Sequence, residues 1–154
     1  MPNQKVLLPY NFTIYDQKAL DFVVRTFGHL KEVEIILFHT YTPVPQIEMN
    51  DSPIMDKLKG SLNYLSQRIQ ENETGLRVAK QHLLENGFLE SQVRYIFKPR
   101  SKDVAGEIID YVSSGQVDLI VINRKPGKVT RFFTGSVLNK LASALKNVTI
   151  CLVT

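Results

Sequence analysis

The stretch Val117-Asp118-Leu119-Ile120-Val121-Ile122-Asn123-Arg124-Lys125-Pro126-Gly127-Lys128-Val129-Thr130-Arg131-Phe132-Phe133-Thr134-Gly135-Ser136-Val137 decides how the rest of the chain is read. Its first part, Val117 to Ile122, is too short to form a helix of its own. Continuous rather than alternating apolarity is the mark of a parallel strand buried on both faces. The strand runs into a basic loop containing glycine, and Gly135-Ser136 reads as the start of a helix that continues through Val137, Leu141 and Leu145. Glycine lets backbone N–H groups come close to a phosphate, and a helix N-terminus offers unpaired N–H groups at the positive end of its dipole. A plain tight turn at Pro126-Gly127, with Ser136 as an ordinary N-cap, accounts for the same residues. Spacing alone does not choose between the two.

Working outward, four further apolar runs have the same character: Val6 to Leu8, Val33 to Phe38, Val93 to Phe97 and Val148 to Val153. Helical patterns separate them. Leu20, Val23, Val24 and Phe27 follow Asp16 as N-cap and end at Gly28; Ser52 caps and Pro53 opens a long second helix that passes Ile54, Leu62, Ile69, Leu76 and Leu83 on its way to Gly87, with a break expected near Gly75. Ser101 is the expected cap of a third helix through Ala105, Ile108, Ile109 and Val112 to Gly115. Strands and helices alternate strictly, which predicts right-handed parallel crossovers and a three-layer α/β sandwich. Ligands of such a sheet bind beyond the carboxyl ends of its strands, where the strand order reverses. The loops after the first and fourth strands therefore matter most. The Tyr41 to Ser52 connection, rich in proline, is expected to be mobile or to contact a partner.

At 154 residues the chain fits one domain, 1–154, with no linker or repeat. A domain of that size buries roughly 70% of its extended-chain surface without needing a disulfide or a metal. No apolar run approaches the roughly 20 residues of a membrane span, and no signal-peptide pattern opens the sequence, so a cytoplasmic location is expected. Cys151 lies within an apolar run and reads as a small buried hydrophobe. Nineteen basic against fifteen acidic residues give a net charge of +4, which mildly favours anionic partners without the basic stripe of a nucleic-acid binder.

The opening stretch resembles the C-terminal signature of the universal stress protein family, an aliphatic strand ending in G-x-x-G, nine further residues, then G-[ST]. The likeness extends along the chain. Lys5-Val6-Leu7-Leu8-Pro9-Tyr10-Asn11-Phe12-Thr13 is similar to the family's "ILVPxDFS" opening, Phe38-His39-Thr40 to its "LHV" and Val117 to Val121 to its "DLIVMG" strand. The resemblance implies a Rossmann-like, adenine nucleotide alpha hydrolase-like sheet in the order 3-2-1-4-5. It implies a site for ATP or another adenine nucleotide, with a divalent ion such as Mg2+, and a homodimer formed through the last strand, here 148–153. Carried across residue by residue, the site comprises Pro9, Tyr10, Asn11, Thr40, Val121, Gly127, Gly135, Ser136 and Val137, with Arg124 and Lys125 as sources of replacement charge.

Departures from the pattern are specific. Counting back from Gly135-Ser136, two signature glycines fall on Ile122 and Lys125, and Gly127 matches only an extra glycine of the family. A side chain where close backbone approach is required displaces a phosphate. Asn11 replaces the family's Asp, keeping an acceptor but losing the charge, and Leu138 stands where a hydroxyl is usual. The implied site is thus a weakened one.

Arg124, Lys125, Lys128 and Arg131 suit a triphosphate, a nucleic acid or simply a solvated loop. His29, His39 and His82 lack metal-ligand spacing. No nucleophile elbow, P-loop or dinucleotide fingerprint is present, and no residue offers itself as a general base for ATP hydrolysis. A phosphoacceptor receiver needs acids near the first strand and an Asp ending the third, whereas here those strands end in Pro9-Tyr10-Asn11 and Phe97-Lys98-Pro99. Two expectations remain. One is a non-enzymatic stress-response domain that binds an adenine nucleotide weakly; the other is a dimeric scaffold that has lost nucleotide binding and acts through protein contacts.

Overall fold

The computed structural model describes residues 3–47, 52–124 and 130–154, and of residues 130–136 the backbone only. Five strands, β1 (Gln4–Pro9), β2 (Val33–Tyr41), β3 (Val93–Pro99), β4 (Leu119–Asn123) and β5 (Thr149–Val153), alternate with four helices, α1 (Asp16–Phe27), α2 (Pro53–Glu85), α3 (Val104–Gly115) and α4 (Thr130–Ala144). The strands form one parallel sheet in the order β3-β2-β1-β4-β5, as expected.

Unbroken apolar strands follow from helices covering both faces. On one face Val6, Leu8, Ile35, Leu37 and Val121 pack with Leu20 and Val23 of α1 and Leu76 and Leu83 of α2. On the other, Leu7, Ile36, Phe38, Ile120 and Ile122 pack with Ile108 and Val112 of α3 and Leu141 of α4. The chain runs outward from β1 through β2 to β3, then returns past β1 to β4 and on to β5. The order therefore reverses between β1 and β4, and there the sheet opens a crevice.

Several local expectations are corrected. β4 begins at Leu119 rather than Val117, because Asp118 ties the strand start to β1: its carboxylate accepts the Lys5 N–H at 2.8 Å, and its own N–H donates to the Lys5 carbonyl at 2.9 Å. Ser52 does cap α2, accepting the Met55 N–H at 3.1 Å, but no break occurs at Gly75, and the helix continues for 33 residues. Asp103, not Ser101, caps α3, accepting the Gly106 N–H at 2.9 Å. Ser101 instead donates its backbone N–H and its hydroxyl to the buried Glu107 carboxylate. The Ser101 N–H, with further donors and Lys98 nearby, holds that carboxyl below the usual glutamate range. Asp16 is the first residue of α1 and Tyr15 its cap.

The largest correction concerns α4. It starts at Thr130, so Gly135 and Ser136 lie inside the helix rather than at its beginning. Nothing between Thr130 and Thr134 is a glycine or proline, so no residue there stops the helix from extending toward the loop. Of the Tyr41–Ser52 connection, Tyr41 ends β2, residues 42–47 have no regular structure, and residues 48–51 lie outside the described residues. No described helix is long and apolar enough to cross a membrane.

Candidate ligand cavity at the strand reversal

β1 ends in Pro9, and the chain then leaves the sheet through a tight loop. Tyr10 keeps one sheet-like bond, its N–H to the Phe38 carbonyl at 2.9 Å, and Phe12 then takes a left-handed φ of 62°. The loop is closed by Asp16, whose carboxylate has no solvent exposure. It accepts the Thr13 N–H at 2.6 Å, the Thr13 hydroxyl at 3.1 Å and the Asn11 N–H at 3.3 Å. It also accepts an N–H of the Asn123 side chain, at the end of β4. One buried carboxylate thus fixes both lips of the crevice. The sequence reading assigns Asp16 to a helix cap; the only signal of its larger role is an acid placed a few residues after a strand end.

An aromatic group supports the same loop from the α2 side of the sheet. His39 Nδ1 lies 2.8 Å from the Tyr10 carbonyl, which only accepts, so Nδ1 carries the proton. Burial above all lowers the pKa of His39 and keeps the ring neutral, while burial and Asp16 push the Tyr10 phenol upward. Phe12 meets the edges of both rings, with centroids 5.1 Å from Tyr10 and 4.7 Å from His39. His39 is a structural residue in this arrangement.

Between these lips lies a cavity of about 180 Å³, lined by Pro9, Asn11, Ile122, Asn123, Val104, Ile108 and Val137. Small-molecule sites commonly measure ~300–1,000 Å³, so this volume suits a ring better than a whole nucleotide. Among the described residues, the lining is apolar apart from two amides. The Asp16 carboxylate can only accept, so the Asn123 amide must turn its N–H toward it, leaving the side-chain carbonyl as an acceptor with no partner among the described residues.

Of the residues expected at the site, the cavity brings together Pro9, Asn11 and Val137. Ile122, read as the place of a missing glycine, lines it too. Val121 is fully buried on the opposite sheet face, in the core beneath α1 and α2. Tyr10 also packs on that side. Thr40 is 4% exposed, and its hydroxyl is the one buried side-chain polar atom without a partner among the described residues. Arg124 is exposed and anchors the end of β4 through its N–H to the Val153 carbonyl at 2.9 Å. Lys125, Gly127 and Lys128 lie outside the described residues. Gly135 and Ser136 belong to α4 by their backbone, so the free amides of its first turn are those beginning at Thr130. Asn123 and Val104 were missed by sequence reasoning; Asn123 directly follows the apolar run that defines β4.

A doubly wound α/β domain with a cavity at its strand reversal is the class that this fold and site define. The chain belongs to the universal stress protein family, whose model matches residues 2–151. Solved structures share the fold. Universal stress protein UspA from Lactobacillus plantarum aligns with 13% identity and a TM-score of 0.70, over 100% of this chain and 99% of that one. The universal stress protein from Archaeoglobus fulgidus in complex with dAMP aligns with 15% identity and a TM-score of 0.65, over 100% of both chains. An Arabidopsis thaliana family protein with AMP bound aligns with 17% identity and a TM-score of 0.56, over 97% and 90%. A comparison with curated proteins returns no match.

Proposed function

We propose that this protein is a non-catalytic, cytoplasmic stress-response domain that binds an adenine nucleotide, with the base seated in the cavity between β1 and β4. The observation that carries the reading is the cavity itself: apolar walls from Pro9, Ile122, Val104 and Ile108, together with the side chains of Asn11 and Asn123. Apolar walls with a few placed polar groups are what a heteroaromatic ring requires. The bound dAMP and AMP of the Archaeoglobus and Arabidopsis proteins support adenine as the base. Ribose and phosphates would leave the cavity toward the loop after β4, where Arg124 and Lys125 supply charge in place of the missing glycines. No carboxylate is among the described residues that line the cavity, and a magnesium ion would be carried by the phosphates. Among the described residues that line it, none exchanges a proton near neutral pH, which supports binding rather than hydrolysis.

The second reading, a dimeric scaffold acting through protein contacts, is favoured by β5. Ile150, Cys151, Leu152 and Val153 are only half buried, and the strand pairs with β4 alone among the described residues.

Calorimetric titration with ATP and magnesium separates the two. Saturable heat is expected in the native chain and should disappear in Val104→Trp, which fills the cavity from its half-buried wall. Absence of heat at millimolar nucleotide would leave the scaffold reading standing alone.

A further inference from the structure

On the other face of the sheet, where α2 rises past the carboxyl ends of β2 and β3, a second cleft of about 240 Å³ opens. Arg68 and Asn72 of α2, His39 and Thr42 at the end of β2 and Arg100 just after β3 contribute to its walls. The arginines distinguish it. Elsewhere Arg77 and Arg94 are matched with the Glu73 and Glu34 carboxylates. Arg100 donates only to a neutral group, the Thr42 hydroxyl at 2.7 Å, and Arg68 has no hydrogen bond or ion pair among the described residues. No carboxylate is among the described residues that line the cleft.

Two guanidiniums sharing one concavity without a counter-charge repel each other, and an anion bound between them removes that repulsion. The planar fork of arginine matches the oxygens of a phosphate, and the Asn72 amide and Thr42 hydroxyl supply further donors. Arg100 is not a loose surface residue: its backbone N–H holds the Tyr41 carbonyl at 2.9 Å, so its guanidinium is carried from a point fixed to the sheet. Its field reaches the neighbouring histidine, since after burial Arg100 is the charge that helps keep His39 unprotonated.

We propose that this cleft binds a phosphate group, as a site separate from the cavity between β1 and β4. The occupant is inorganic phosphate or the phosphate of a monoester, and the recognising elements are Arg68 and Arg100 with Asn72 and Thr42 in the same lining. The site does not depend on the adenine cavity, which lies on the opposite face of the sheet.

The test is amide-resolved NMR titration of the full chain with inorganic phosphate, with adenosine as a second probe because it has the base and no phosphate. Phosphate is expected to give saturable shifts at Thr42, Asn72 and Arg100. Arg68→Gln and Arg100→Gln should each weaken the response about tenfold, the size of one lost charge-assisted hydrogen bond. Adenosine should move Asn11 and Asn123 and leave the cleft unchanged, so the two sites fail or succeed independently. Shifts in the cleft with AMP but not with inorganic phosphate would identify a monoester as the occupant. Shifts confined to the loop after β4, or an undiminished response in both variants, would overturn the proposal.

Discussion

Asp16 shows how much of the crevice depends on one side chain. A carboxylate taken out of water is tolerated when every oxygen is hydrogen-bonded, and here the donors come from Asn11, Thr13 and Asn123. Asp16→Ala would leave those part-buried donors without their acceptor, at about 1–3 kcal/mol for each one that water cannot reach. We expect the substitution to lower the stability measured by urea unfolding by about 3 kcal/mol in total. A loss of a few tenths would mean that the loop re-forms around water and that the carboxylate does not organise it. Its role is hard to read from sequence because Asn123 lies 107 residues away. Pro9 and Asn11 were legible through the resemblance of the Lys5–Thr13 stretch to the family's opening, which is a local pattern. Asn123 and Val104 were not, because the register of β4 and the placement of α3 over the sheet decide what they face.

At the scale of elements, two glycines of α2 make opposite demands. A Cβ at Gly60 would meet nothing within 4 Å, whereas at Gly75 it would lie 2.8 Å from Phe12 Cε1. Phe12 has little room to retreat, being set on a left-handed backbone and held edge-on against Tyr10 and His39. Gly60→Ala should therefore raise the melting temperature, reflecting the ~1 kcal/mol by which alanine favours a helix. Gly75→Ala gains the same propensity but should lower the melting temperature; equal gains at both positions would show that Phe12 moves freely. This also explains why the break expected at Gly75 is absent: the glycine admits an aromatic ring from another element and does not end the helix. All five strands were legible because continuous apolarity survives without knowledge of neighbours. The start of α4 was not, because Gly135-Ser136 looks like a beginning while the residues before it already sustain a helix.

For the whole molecule, the sheet leaves β5 as an edge that is uncharged throughout and apolar from Ile150 to Val153. Edges of that kind pair unless something covers them, and two copies joined along β5 would bury both at once. Sedimentation is the measurement: Ile150→Lys should move the native species toward monomer, and an unchanged dimer would place the interface elsewhere. The strand order was legible because alternating strands and helices allow few topologies.

The length of α2 has a further consequence. Its 33 residues span about 50 Å, yet the buried positions are Leu62 in the first half and Leu76, Ala79 and Leu83 in the second. Stability must then be graded along a single helix: the later turns are released only when the core comes apart, while the first turns have little apolar burial to hold them. Arg68 and Asn72 stand close to that boundary, so the helix wall of the second cleft can loosen and re-form while the sheet beneath it stays folded.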